Sequence, residues 1–268
     1  MLKLALTILY LFAFNNVLAA DLDLKGDLIQ GSLIRGQVPV GSQVWLGKQA
    51  LKVSPQGHFV FGFGRDAGLT HQLKWQRKDG QLHTQAIQLT ARTYQEQKIE
   101  GVANKYVSPP KTVSNRIKKD NQQVAAARRT DDNRIDFTQD FIWPASGPIS
   151  GVYGSRRVFN GIPKRPHYGV DVAAPTGTAV YAPADGVVTL FVPDMYYSGG
   201  TMIIDHGHGV SSTFLHLSQG HVQAGQRVQQ GQLVAKIGAT GRVTGAHLDW
   251  RINWFKVKLD PALLVPKR

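Results

Sequence analysis

The sequence has 268 residues, 42% of them apolar and 9% aromatic, with a formal net charge of +13. That length allows two modest domains or one large one, and the composition is that of a globular protein with enough apolar material for a core. With no cysteine in the chain, a disulfide framework and a lipid-modified cysteine anchor are both excluded.

A surface this basic attracts polyanions, and nucleic acid, an anionic membrane and an anionic cell-wall polymer all qualify. The N-terminus chooses among them. Lys3 precedes a nearly unbroken apolar run from Leu4 to Phe14, followed by Val17-Leu18-Ala19-Ala20. This reads as a secretory signal cleaved after Ala19 or Ala20. The run is shorter than the roughly 20 apolar residues of a spanning helix, so no permanent membrane span is expected after cleavage. Export to the periplasm or the medium sets nucleic acid aside as a partner.

Residues 21–107 carry short candidate strands at Leu28–Gly36, Val44–Leu46, Phe59–Phe61 and Gln72–Trp75, separated by turn signals such as Pro55-Gln56-Gly57 and Lys78-Asp79-Gly80. Such spacing predicts a β-sandwich-like domain. No cluster in it suggests chemistry, so it reads as a binding or spacer domain. Residues 108–140 read as a basic helical linker. The stretch from Lys111 to Arg129 is polar and helical, with Val113, Ile117 and Val124 as its few apolar positions and a charge run that reads as a solvated face. A charged connector, Thr130–Asp140, follows.

Residues 141–268 are β-rich again, with candidate strands at Ala179–Ala182, Gly186–Val192, Thr201–Asp205, Ser211–Leu217, Leu233–Ile237 and His247–Trp254. Few stretches show helical periodicity, which predicts an antiparallel β domain. The fold class is therefore mainly β.

Histidines and carboxylates concentrate in this half: His167, Asp171, Asp205, His206, His208, His216, His247 and Asp249. Several at patterned positions in an exported chain suggest a metal site. His167 and Asp171 stand four apart. Pro166, Gly169, Val170 and Val172 argue against a helix there, and a straight strand would separate the two by roughly 13 Å. The backbone must bend between them, as Gly169 permits. His247 and Asp249 alternate in a β-like segment, so that one could bind a metal while the other reaches the attacking water. Ser212, Phe214 and His216 are expected on one face of a neighbouring strand, where His216 adds a second proton-transfer group.

Residues from about 144 to 265 resemble the lysostaphin-type, LytM-like zinc metallopeptidases of the bacterial cell wall. The resemblance rests on ordered blocks: Ile149–Arg157, the His-x-x-x-Asp motif of His167–Asp171, Gly177–Val188, Asp205-His206-Gly207, Leu215-His216-Leu217 and Gly238–Leu248. It implies a duplicated hybrid motif-like β fold and one Zn²⁺ per chain, bound by His167 and Asp171. His216 and His247 would handle protons and stabilise the reacting oxygens. The family's third ligand is the second histidine of a His-x-His motif, and the matching residue here is Asp249. Phe214 stands where many relatives have tyrosine. A His, Asp, Asp set carries one more negative charge and harder donors, so another divalent metal could replace zinc. Three protein ligands remain, as in catalytic zinc sites.

The resemblance implies an endopeptidase acting on peptidoglycan cross-links. The competing reading is a catalytically impaired regulator that binds the wall and activates other cell-wall hydrolases. Asp249 points to the regulator, and the retained His167, Asp171, His216 and His247 point to the enzyme. His206 reads as structural, and His208 as a surface turn residue. His58, His71 and His83 read as isolated surface residues.

Overall fold

The computed structural model describes residues 21–268. The expected signal segment, residues 1–20, lies outside the described residues. Among the described residues no helix is long and apolar enough to cross a membrane.

Seven strands open the described residues: β1 (Asp23–Lys25), β2 (Leu33–Gln37), β3 (Gln43–Leu46), β4 (Gln49–Leu51), β5 (His58–Gly62), β6 (Thr70–Gln76) and β7 (Leu82–Gln88). They form two antiparallel sheets, β1-β2-β5 and β4-β3-β6-β7. Leu33, Ile34, Phe59 and Phe61 from the first share a buried core with Val44, Leu73, Trp75 and Ile87 from the second. The pairing of β2 with β5 places Gly36 opposite Phe59. The Phe59 ring fills the space where a Cβ would stand on Gly36, so glycine is required there.

Next come β8 (Glu96–Ile99), the short helix α1 (Asn104–Val107) and the longer α2 (Ser114–Ala127). The expected solvated helix face is partly covered. Arg116 bonds the Asp194 carboxylate at 2.7 Å, and Asp120 accepts from the Tyr196 amide at 2.8 Å. Just past the helix, Arg128 donates to Thr213 Oγ1 at 2.8 Å. Lys118 and Lys119 keep exposed positions.

The C-terminal half holds β9 (Ile149–Gly151), β10 (Arg156–Phe159), β11 (Ile162–Lys164), β12 (Val170–Ala173), β13 (Ala179–Tyr181), β14 (Gly186–Met195), β15 (Gly199–Asp205), β16 (Val210–Gly220), β17 (Arg227–Val228), β18 (Leu233–Ile237), β19 (His247–Trp254) and β20 (Val257–Leu259). The main sheet runs β17-β14-β15-β16-β19-β12-β9, with β18 linking β13 to β16 and β20 flanking β19. Every residue of β15 is buried, which explains its continuous apolar run Met202-Ile203-Ile204. Fully burying each such side chain stabilises the fold by about 1.5–3 kcal/mol. β10 pairs antiparallel with β11 and parallel with β8. The segment between the sandwich and the main sheet is thereby sewn onto the face that carries the site. Arg92 and Asp260 add a 2.8 Å ion pair between the two halves.

Candidate metal centre and active-site cavity

Strands β12 and β19 run antiparallel with Asp171 opposite Asp249 and Ala173 opposite His247. Directly opposed residues project to the same face of a sheet. Along β19, His247, Asp249 and Arg251 alternate onto the cavity face, while Leu248, Trp250 and Ile252 fill the core behind. His167 arrives from the preceding loop, held by backbone bonds from its amide to Ser155 O (2.9 Å) and from the Gly154 amide to its carbonyl (2.7 Å). The chain bends between the two ligand candidates, and His167 Nε2 lies 3.1 Å from Asp171 Oδ1. Gly169 makes the bend compatible with its surroundings: a Cβ there would strike Asp249 Oδ1 and the Trp250 carbonyl.

One donor atom from each of His167, Asp171 and Asp249 lies within 4.8 Å of the other two, and all three residues are buried. His167 Nε2 and Asp171 Oδ1 are buried with no hydrogen-bond partner. Orphaned buried polar atoms are costly, and a divalent cation bound by one nitrogen and two carboxylates would satisfy them. The residues present fit such an ion.

Two arginines back the carboxylates. Arg157 donates to Asp171 Oδ2 at 2.6 Å, and Arg251 grips both oxygens of Asp249 at 2.9 and 2.5 Å. Each carboxylate oxygen has two lone pairs, so this fork leaves capacity for a metal. Burial opposes ionisation of Asp171, but His167 and Arg157 outweigh it and hold the carboxyl below its ordinary range. Burial likewise works against Asp249, and Arg251, His167 and His216 drive its pKa well down. Both are carboxylates at neutral pH.

His216 and His247 stand beside the cluster with ring centroids 4.8 Å apart. His216 Nδ1 contacts Thr240 O at 2.8 Å and His247 Nδ1 contacts Gly245 O at 2.9 Å. A carbonyl can only accept, so each Nδ1 carries a proton. Burial pushes the His216 pKa down to about 4, with Asp249 opposing and His247 adding to the shift. His247 Nε2 lies 3.9 Å from Asp171 Oδ1.

The expected common face for Ser212, Phe214 and His216 is corrected by the structure. Thr213 and Leu215, opposite Arg251 and Asp249, line the cavity, whereas Phe214 is buried opposite Trp250. Ser212 Oγ contacts His206 Nε2 on the far side. His216 joins the cavity because its φ of 64° reverses the alternation, a left-handed conformation uncommon outside glycine. Backbone strain of this kind concentrates at functional sites.

His206 is fully buried, bonded through Nδ1 to Asp185 O at 2.6 Å and through Nε2 to Ser212 Oγ at 2.8 Å. His208 is not the surface residue expected from its turn. It is 2% exposed, packed against Phe137 and walled by Lys52, Asp131 and Trp254. The first half of the chain covers it, which no local pattern reveals. It lies outside the candidate metal-ligand cluster of His167, Asp171 and Asp249. His58, His71 and His83 are half-buried, the last two against Phe63 and Trp75.

The cavity holds about 400 Å³ and receives side chains from well outside the main sheet: Gln97 and Ile99 of β8, Asn121 and Val124 of α2, and Arg128. Sequence reasoning missed these, along with Arg157, Arg242 and Arg251. For Arg251 a signal existed, since it stands two residues past Asp249 on a strand and so shares its face.

Residues 165–261 match the family model Peptidase family M23. Among curated relatives, peptidoglycan DD-endopeptidase ShyA of Vibrio cholerae serotype O1 is 39% identical over 129 residues, 45% of this chain and 30% of the relative. DD-carboxypeptidase/endopeptidase Mpg of Neisseria meningitidis serogroup B is 44% identical over 91 residues, 33% of this chain and 21% of the relative. The chain thus matches less than a third of the length of either. A crystal structure of a candidate M23 peptidase from Pseudomonas aeruginosa superposes with a TM-score of 0.67 at 25% identity, covering 89% of this chain and 95% of that one. The fold, the ordered motifs and the family match agree in likening residues 165–261 to the LytM-like metallopeptidases of Peptidase family M23.

Proposed function

We propose that this protein is an exported, metal-dependent endopeptidase that hydrolyses peptide bonds in peptidoglycan cross-links. The observation that carries the reading is the convergence of His167, Asp171 and Asp249 within 4.8 Å, flanked by the His216 and His247 rings. Peptidoglycan as substrate is supported by the name of the ShyA relative.

His167, Asp171 and Asp249 would hold one Zn²⁺ per chain, which when bound supplies Lewis acidity to the scissile carbonyl. The chain's own groups do the rest. Arg157 and Arg251 keep both carboxylates ionised and aimed at the ion. His216, neutral at physiological pH, offers its Nε2 lone pair to the attacking water and returns the proton to the leaving amine. With its Nδ1 proton committed to Gly245 O, His247 in its imidazolium form donates to the developing oxyanion from the other side through Nε2–H. The burial of the cluster keeps bulk water from screening these interactions.

The test is zinc titration by calorimetry alongside release of fragments from dye-labelled sacculi. The expected result is one zinc per chain and release that a chelator abolishes. Stoichiometric zinc without release would sink the enzyme reading.

A further inference from the structure

Four guanidiniums converge on the cavity: Arg128, Arg157, Arg242 and Arg251. Two are neutralised, Arg157 by Asp171 and Arg251 by Asp249. The other two are not. Among the described residues Arg242 has no carboxylate partner and its side chain donates no hydrogen bond. It lies against two rings, 5.0 Å from the Phe159 centroid and 4.9 Å from that of Tyr197. Arg128 donates to the Thr213 hydroxyl at 2.8 Å, and its buried Nε has no partner.

Four positive charges therefore face two negative ones, and a bound divalent cation would widen the excess. Burial lowers the Arg128 pKa to about 10, with Arg251 adding to the effect, and burial also lowers that of Arg242. Both remain charged at neutral pH at a desolvation cost, which an incoming anion would relieve. A guanidinium edge matches a carboxylate in two-point geometry. The neighbouring wall is Ile99, Val124, Phe159, Tyr197 and Val243, which suits a peptide more than a polyphosphate.

We propose that Arg128 and Arg242 form a carboxylate-recognising subsite beside the catalytic cluster, so that the preferred substrate is a peptide with a free carboxylate next to the scissile bond. This rests on the peptidoglycan reading, whose stem peptides carry such carboxylates. Arg128 comes from outside residues 165–261, so the segment following α2 sets part of the specificity of the family domain.

The test is a binding titration on the chelator-treated full chain, which separates recognition from catalysis. The probes are N-acetyl-D-alanyl-D-alanine and its C-terminal amide. A charge-assisted hydrogen bond contributes about 1.5–3 kcal/mol, so the acid is expected to bind at least about tenfold more tightly than the amide. Arg242→Gln and Arg128→Gln should each cut that preference several-fold, and the double variant should erase it. Lys48→Gln, an exposed charge in the first half, should leave it intact. Should circular dichroism show Arg242→Gln to be unfolded, Arg242→Lys keeps the charge without the fork and should still lose most of the preference. Equal binding of acid and amide by the unaltered protein, or a preference that survives the double variant, overturns the subsite. Neither result bears on zinc-dependent release from sacculi. A preference found in a protein that releases nothing would keep the subsite and sink the enzyme reading.

Discussion

Arg251→Met tests how the site keeps a second carboxylate in its interior. Asp249 is 2% exposed, and both its oxygens accept from Arg251. Breaking a buried pair on one side typically costs about 3–5 kcal/mol. The Arg251 side chain is 30% exposed, so solvent lowers the figure to about 2–3 kcal/mol for the metal-free protein at neutral pH. The direction with pH follows from the shifts. In the unaltered protein Asp249 titrates below its unfolded value, so the pair's contribution is present above roughly pH 3.9 and is lost as pH falls through the folded value. In the variant, burial pushes the carboxyl up and its charge opposes folding at neutral pH. The gap between the two proteins should therefore be widest near neutrality and narrow in acid. Replacing both partners, Asp249→Leu with Arg251→Met, removes the charge and should recover most of the loss. Urea denaturation of the three chelator-treated proteins at neutral pH and near pH 5 reads all of this. Arg251→Met within about 0.5 kcal/mol of the unaltered protein, or a double variant less stable than the single one, would refute the reasoning.

His216→Ala and His247→Ala should keep zinc and lose turnover by about 10²- to 10⁴-fold; loss of zinc from either would make that histidine a ligand. Asp249→Ala leaves two protein ligands, and zinc affinity should fall sharply in calorimetry, whereas Asp249→His should hold or raise it; equal affinity in Asp249→Ala and the unaltered protein would remove Asp249 from the ligand set. Burial holds the His206 pKa down to about 4. Its neutral ring therefore favours the fold above the unfolded value near 6.5, and about 3 kcal/mol is lost as pH falls from there toward 4. His206→Gln should flatten stability against pH across that window, and an unchanged slope would contradict the assignment.

The strands of the C-terminal half were legible because runs such as Met202-Ile203-Ile204 and Leu233–Ile237 sit between turn residues and carry no helical period. The bend between His167 and Asp171 was legible too, since the alternative was a separation too large for one ion. Other features depend on partners distant in sequence. Glu96–Ile99 is polar and unremarkable alone, and becomes a strand only against Arg156–Phe159. His208 lies in a glycine-flanked turn that signals exposure, until the sandwich covers it. The reversal at His216 has no local marker, because a histidine at positive φ looks like any strand residue in the alternation. Arg251 was readable from its two-residue spacing to Asp249, but its significance appears only once Asp249 is seen to be buried.

Hydrolysis of peptide cross-links at the proposed centre of His167, Asp171 and Asp249 can be read by digesting purified sacculi with the zinc-loaded protein and identifying the products by mass spectrometry. Cross-linked dimers should give way to monomers with a newly freed amine, and chelation or Asp171→Ala should stop this. Intact dimers after prolonged incubation with a protein that holds one zinc per chain would contradict the proposed hydrolysis.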